Sequence, residues 1–185
     1  MCLMNEQREM VVSAYDSSWV DKYEAEAARL AETFSTSLVN LHHIGSTSVP
    51  GLYAKPTIDI AVELASTTNI SDFYPAMESL GYACRGECLD AIIPGTPGRF
   101  YFVLYAGVEH LFHVHAYRTG HEDLEEKIVL RNFLLAHPEV AREYGIHKIE
   151  TANTNKFDNI GYMHGKDVFI KNMLVNAHKW SSHIT

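Results

Sequence analysis

Cysteine is scarce. Cys2, Cys84 and Cys88 are the only three in 185 residues. An odd, sparse set does not build a disulfide scaffold, and a chain of this length can bury a core without one. Cys84-x-x-x-Cys88 lacks a second ligand pair, so the spacing does not make a closed zinc site. Reduced thiols in a cytoplasmic protein are the expectation. Long apolar runs are missing too. No stretch approaches the ~20 residues of a membrane span, and the opening MCLMNEQREM has no apolar signal region. No membrane partner is expected. There is no excess of positive charge either: 15 Lys+Arg face 23 Asp+Glu, for a formal charge of −8. Such a surface does not draw in nucleic acid, which is disfavoured as a partner, although a local basic pocket remains compatible with the total. Internal repeats, low-complexity tracts and a GxxxxGK[ST] phosphate loop are also absent.

What remains is a 46% hydrophobic chain with clear periodicities, consistent with one domain over residues 1–185. Trp19, Tyr23, Ala27, Leu30 and Phe34 recur at helical spacing, with Asp16 or Ser17 as the N-cap. Leu38 to Ile44 and Thr57 to Leu64 are strand candidates; in the second, Ile58, Ile60, Val62 and Leu64 share a face. Ser71 to Leu80 reads as a helix capped by Ser71 and ended by Gly81. One or two strands are expected in 82–93, followed by a PGTPG turn at 94–98. Arg99–Tyr105 and Leu111–Tyr117 form a hairpin. From about Glu122 the pattern is helical, with a break at His137-Pro138, a second helix to about Thr151 and a last one over about 159–179. The order predicts an α+β mixed sheet flanked by helices, with a mainly helical C-terminal part.

Three features carry chemistry. The first is HHIGSTSVPGLYAKPTIDI, residues 42–60. Gly45 and Gly51 can take positive φ and Pro50 stiffens the bend. The backbone N–H groups of Gly45, Ser46, Thr47 and Ser48, the hydroxyls of Ser46, Thr47 and Ser48 and the Lys55 ammonium can hold phosphate oxygens. Read locally, the stretch serves as a plain connection or as a ligand loop. The second is Asp59, between Ile58 and Ile60 in a strand, where a charge is costly unless a metal or Lys55 pairs with it. A solvent-facing or capping acid is the alternative. The third is His113-Val114-His115. Two histidines at i and i+2 share a strand face with Cα atoms ~6.5–7 Å apart, suited to one metal, to a ligand and a base, or to two hydrogen-bonded buried rings. Of His42 and His43, at most one faces a given site. Arg131, Arg142, Lys148, Lys166 and Lys171 read mostly as solvated helix charges, with Tyr162 and Lys166 in GYMHGK a candidate ligand-facing pair.

The stretch from His43 to Ile60 resembles the signature of the GrpB family, a bacterial group placed in the nucleotidyltransferase superfamily. The similarity continues through FHVHAY, LRNFLLAHPEVAREY and GKDVFI, and covers about Val11 to Leu174. The resemblance implies a nucleotidyltransferase-like mixed sheet, a Gly-Ser turn after the first strand (Gly45-Ser46), and an acid on the second (Asp59). It implies a divalent metal, Mg²⁺ or Mn²⁺ with Zn²⁺ as a further candidate, and a nucleoside triphosphate or a phosphorylated metabolite as ligand. The superfamily's second acid would stand at position 61, which is Ala61. Glu63 shares the face of Asp59 but lies ~13 Å further along the strand. His113 and His115 would then replace carboxylates around one ion, with Asp59 and His115 as the catalytic candidates; imidazole favours Mn²⁺, Zn²⁺ or Fe²⁺ over Mg²⁺. Loss of the second acid also fits a non-catalytic binding module.

Overall fold

The computed structural model describes residues 9–87 and 96–183. Helix α1 spans Ser18–Phe34, strand β1 Leu38–Ile44 and strand β2 Ile58–Leu64. Helix α2 (Tyr74–Ser79) leads into β3 (Tyr82–Glu87), β4 (Phe100–Ala106) and β5 (Glu109–Arg118). Three helices complete the chain: α3 (Glu122–Ala136), α4 (Pro138–Thr154) and α5 (Asn159–Ser181). The five strands form one sheet in the order β1-β2-β5-β4-β3. Only the β2–β5 pairing is parallel, so the sheet is mixed and the fold is α+β as expected.

The alternation in β2 divides the molecule into layers. Ile58, Ile60, Val62 and Leu64 are buried against Trp19, Leu30 and Phe34 of α1, together with Ile70 and Met77. Fully burying such side chains is worth roughly 1.5–3 kcal/mol each, enough to fix which face of β2 turns toward α1. The opposite face carries Asp59, Ala61 and Glu63. There Ala61 packs with Ile44, Tyr117 and Leu124. A third cluster joins Val49 and Leu52, in the loop after β1, to Leu134 of α3, Ala141 and Tyr144 of α4 and Met173 of α5. The loop is therefore the shelf on which the C-terminal helices rest.

Two expectations are modified. The Ser71–Leu80 helix is a 3-10 turn over Ile70–Phe73 followed by the short α2. Pro75 has no N–H to offer Ser71, so the regular ladder begins only after it. Ser71 caps nothing: its hydroxyl donates to the Asn69 side chain at 3.0 Å. At α1, the Asp16 carboxylate accepts from the Ser18 N–H at 2.9 Å, while Ser17 makes no side-chain cap. Cys2, Cys88, Pro94 and Gly95, and any strand within 88–93, lie outside the described residues.

One buried charge in this layer escaped the periodicity. Glu26 is 4% exposed on the inner face of α1. The Tyr82 hydroxyl donates to its Oε1 at 2.9 Å and Arg29 Nη1 to its Oε2 at 2.7 Å. Tyr82→Phe leaves that buried oxygen unpaired and should cost about 1–3 kcal/mol. A lower urea midpoint with an unchanged m-value is the expected result.

Candidate functional site

The parallel register sets Asp59 opposite His113 and Ala61 opposite His115. All four therefore lie on the sheet face turned away from α1. His113 Nδ1 is 3.2 Å and His115 Nε2 3.8 Å from Asp59 Oδ1. One donor atom from each of the three residues falls within 4.8 Å of the others. An ion with bonds of about 2.0–2.2 Å holds its ligands about 3–3.5 Å apart, so the spacing fits a single ion with small adjustments. Supporting contacts orient both rings. His110 Nδ1 lies 2.7 Å from His113 Nε2, which fixes the nitrogen that faces Asp59. Tyr101 stacks on His115 at 5.1 Å between ring centroids. His115 Nδ1 is buried and has no hydrogen-bond partner among the described residues.

Protonation follows from these contacts. Burial would raise the Asp59 carboxyl, but the contacts from His113 and His115 outweigh it and hold the group far below the usual carboxylate range. Burial pushes His115 down to about 4 against the pull of Asp59. Asp59 is thus an anion and His115 a neutral imidazole at ordinary pH, the states in which both are ligands.

The expected second acid has no place in this packing. Ala61 is 0% exposed, sealed by Ile44, Tyr117 and Leu124. Glu63 faces His42 at 3.5 Å instead.

The loop 45–52 brings backbone up to the acid. Gly45 has φ +69°, and a Cβ there would lie 2.5 Å from Asp59 Oδ2. Only glycine combines that conformation with that approach. Ser46, Thr47 and Ser48 form a 3-10 turn. Ser48 donates to the Gly45 carbonyl at 2.6 Å. Thr47 is buried, and its hydroxyl lies 3.0 Å from His43 Nε2. His43 stacks on Tyr23 at 4.6 Å, and Arg131 Nη1 donates to its carbonyl at 3.0 Å. The Ser46 side chain contacts the Tyr144 hydroxyl. Lys55 Nζ lies 3.3 Å from Met10 Sδ and 5.3 Å above the Tyr162 ring.

Two residues of this neighbourhood, Tyr144 and Lys148, went unrecognised as site residues in the sequence. Lys148 was expected to be a solvated helix charge, yet it is 2% exposed. A signal existed: Ala141, Tyr144, Lys148 and Ala152 fall on one stripe of α4, and all four are buried.

The fold and site together define a mixed-sheet α+β protein with an Asp–His–His set beside a Gly-Ser turn. The chain belongs to the GrpB family: the model described as "GrpB protein" matches residues 9–176. The chain is 34% identical over 174 residues to the UPF0157 protein YqkA of Bacillus subtilis, covering 94% of this chain and 49% of that one. It is 24% identical to the glutamate-rich protein GrpB of Alkalihalophilus pseudofirmus, across 90% and 94% of the two chains. The crystal structure of conserved protein GrpB from Enterococcus faecalis superposes with TM-score 0.83 at 31% identity, covering 92% of this chain and 99% of that one. The chain therefore spans about half the length of YqkA and almost all of the solved relative.

Gly45→Ala should destabilise the fold by about 1–3 kcal/mol through strain alone, and more if Asp59 is displaced; thermal unfolding measures it. A pH dependence follows as well. Burial, reinforced by Arg131 and opposed by Asp59, lowers His43 to about 4, alongside His115. Once unfolded, both rings take protons near the ordinary imidazole value of 6.5. The unfolded chain thus binds more protons than the folded one between those values. The stability is fully present above about 6.5 and is lost as pH falls toward 4. Urea midpoints across this range should show the loss in metal-free protein, and His43→Phe, which keeps the ring stack, should flatten part of the slope.

Proposed function

We propose that this GrpB-family protein binds a nucleotide or phosphorylated metabolite through one divalent ion and transfers a nucleotidyl or phosphoryl group from it to an acceptor. The observation that carries the reading is the convergence of Asp59, His113 and His115 beside the Gly45-Ser46 turn. Asp59 and the two imidazoles would hold the ion, and the mixed donor set favours Mn²⁺ or Zn²⁺. When bound, the ion supplies charge neutralisation at phosphoryl oxygens. Ser46 and the N–H groups of its turn position the phosphates. Asp59, anionic and already engaged by both imidazoles, acts as a holder of charge and not as an acid. His115, neutral and facing Asp59, is the chain's candidate proton acceptor if its ligand role is relaxed.

A second reading, binding without transfer, is favoured by Ala61. With that position sealed, the strand offers no carboxylate bridge for a second ion, which two-metal chemistry needs.

Differential scanning fluorimetry with ATP, CTP, GTP and UTP, each with Mn²⁺, Zn²⁺ or Mg²⁺, tests both. A ligand at 100 times its Kd stabilises by about 2.7 kcal/mol, which is readily seen. The expected pattern is a metal-dependent rise in Tm that is lost in Asp59→Ala and kept in Glu63→Ala. No shift with any combination sinks both readings in their nucleotide form. Release of pyrophosphate or of orthophosphate with acceptor pools separates transfer from binding.

A further inference from the structure

Lys148 is the most anomalous charge in the molecule. It is 2% exposed, and its Nζ has no hydrogen-bond partner among the described residues. Its Nζ lies over the face of the Tyr144 ring, 4.8 Å from the centroid. Buried ammonium groups are ordinarily paired with an anion. Here the larger charge effect comes from the Lys166 ammonium, of the same sign, and the smaller one from the Asp59 carboxylate. A Cβ on Gly165 would lie 2.5 Å from Thr151 Cγ2, and His147 Nε2 is 2.8 Å from the Gly165 carbonyl. This close approach of α4 and α5 brings Lys166 toward Lys148. Burial first, then the Lys166 ammonium, push Lys148 down to about 7, while Asp59 opposes them. Lys166 lies 4.4 Å above Tyr162, the ring that also receives Lys55 at 5.3 Å. Tyr144, beneath Lys148, contacts Ser46 of the turn. In a chain of net charge −8, lysines have been gathered behind the hydroxyl-rich turn.

We infer that Lys148 and Lys166 form an anion pocket for the outer phosphates of an oligophosphate ligand, with Lys148 as its central residue. The inference rests on the reading of the Asp59 site as a phosphate-ligand site and deepens it to a substrate class. The geometry offers two centres for anionic oxygen: the Asp–His–His set on the sheet, through its ion, and the lysine pair on the helices, with Ser46 between them. A single phosphate satisfies one centre; a chain of phosphates satisfies both. Nucleoside di- and triphosphates therefore fit better than monophosphate esters. Asp59 is already engaged by two imidazoles, which leaves the ammonium of Lys148 to a ligand.

Calorimetric titration of the full chain with tripolyphosphate and with orthophosphate, in metal-stripped buffer and again with Mn²⁺, tests this. The wild type should bind tripolyphosphate more tightly than orthophosphate even without metal. Lys148→Met should weaken tripolyphosphate at least tenfold while raising the Tm of the unliganded protein, because it removes a buried unpaired charge; a merely structural lysine would lower it. Lys148→Arg should keep part of the affinity. Lys166→Met, at a less buried position, should also weaken binding and guards against misfolding of the first variant. Asp59→Asn should keep metal-free tripolyphosphate binding and lose the gain from Mn²⁺. Equal affinity for the two anions in the wild type, or unchanged tripolyphosphate affinity in both methionine variants, overturns the inference. Failure of Mn²⁺ alone to bind the wild type overturns the metal reading instead.

Discussion

The contact that organises this protein is the one around the Asp59 carboxylate. On one side two imidazoles from β5 reach its Oδ1, at 3.2 and 3.8 Å. On the other, Gly45 comes so close to its Oδ2 that a methyl group would not fit. Both approaches depend on the same piece of architecture. The parallel β2–β5 pairing aligns His113 with Asp59, and the antiparallel β1–β2 pairing aligns Ile44 with it. The strands on both sides of β2 must therefore be in register for the acid to be surrounded. The chain joins β2 to β5 only after α2, β3 and β4, so the central pairing is long-range and is secured by the hydrophobic face turned to α1.

Around that centre different layers contribute different groups. The sheet supplies the carboxylate and the histidines. The C-terminal helices supply lysines. The loop between β1 and β2 lies between the two, bound to the sheet by Gly45 and to the helices by Val49 and Leu52. An overall acidic chain thus gathers Lys55, Lys148 and Lys166 around the Tyr144 and Tyr162 rings. Net charge predicts the long-range behaviour of the surface and says nothing of such a local cluster.

Much of the fold was legible. β1 has the bounds its sequence suggests, and the alternation of Ile58, Ile60, Val62 and Leu64 identifies the buried face of β2 without ambiguity. The hairpin of β4 and β5 and the break at Pro138 were equally plain. Asp59, His113 and His115 stood out because each is a polar group in an apolar strand, and their convergence needed only that β2 and β5 be neighbours. Less legible was what depends on contacts between distant segments. The Glu26–Tyr82 pair joins residues 56 positions apart, and periodicity does not pair side chains. Thr47 and Ser48 looked equivalent to Ser46, yet one bonds His43 and the other closes the turn.

The sequence by itself determined most of the elements, the buried face of β2 and the residue types available for chemistry, because these follow from the two periodicities and from the cost of placing a polar group in an apolar run. It also marked Gly45-Ser46 as a special turn and Ala61 as a missing acid. The tertiary structure alone decided that Ala61 is sealed within a cluster and that Lys148 is buried with no hydrogen-bond partner among the described residues. Both are properties of what packs on a residue from elsewhere in the chain. On the same stripe of α4, Ala141 and Tyr144 pack with Val49, Leu52 and Met173, contacts that periodicity alone does not reveal.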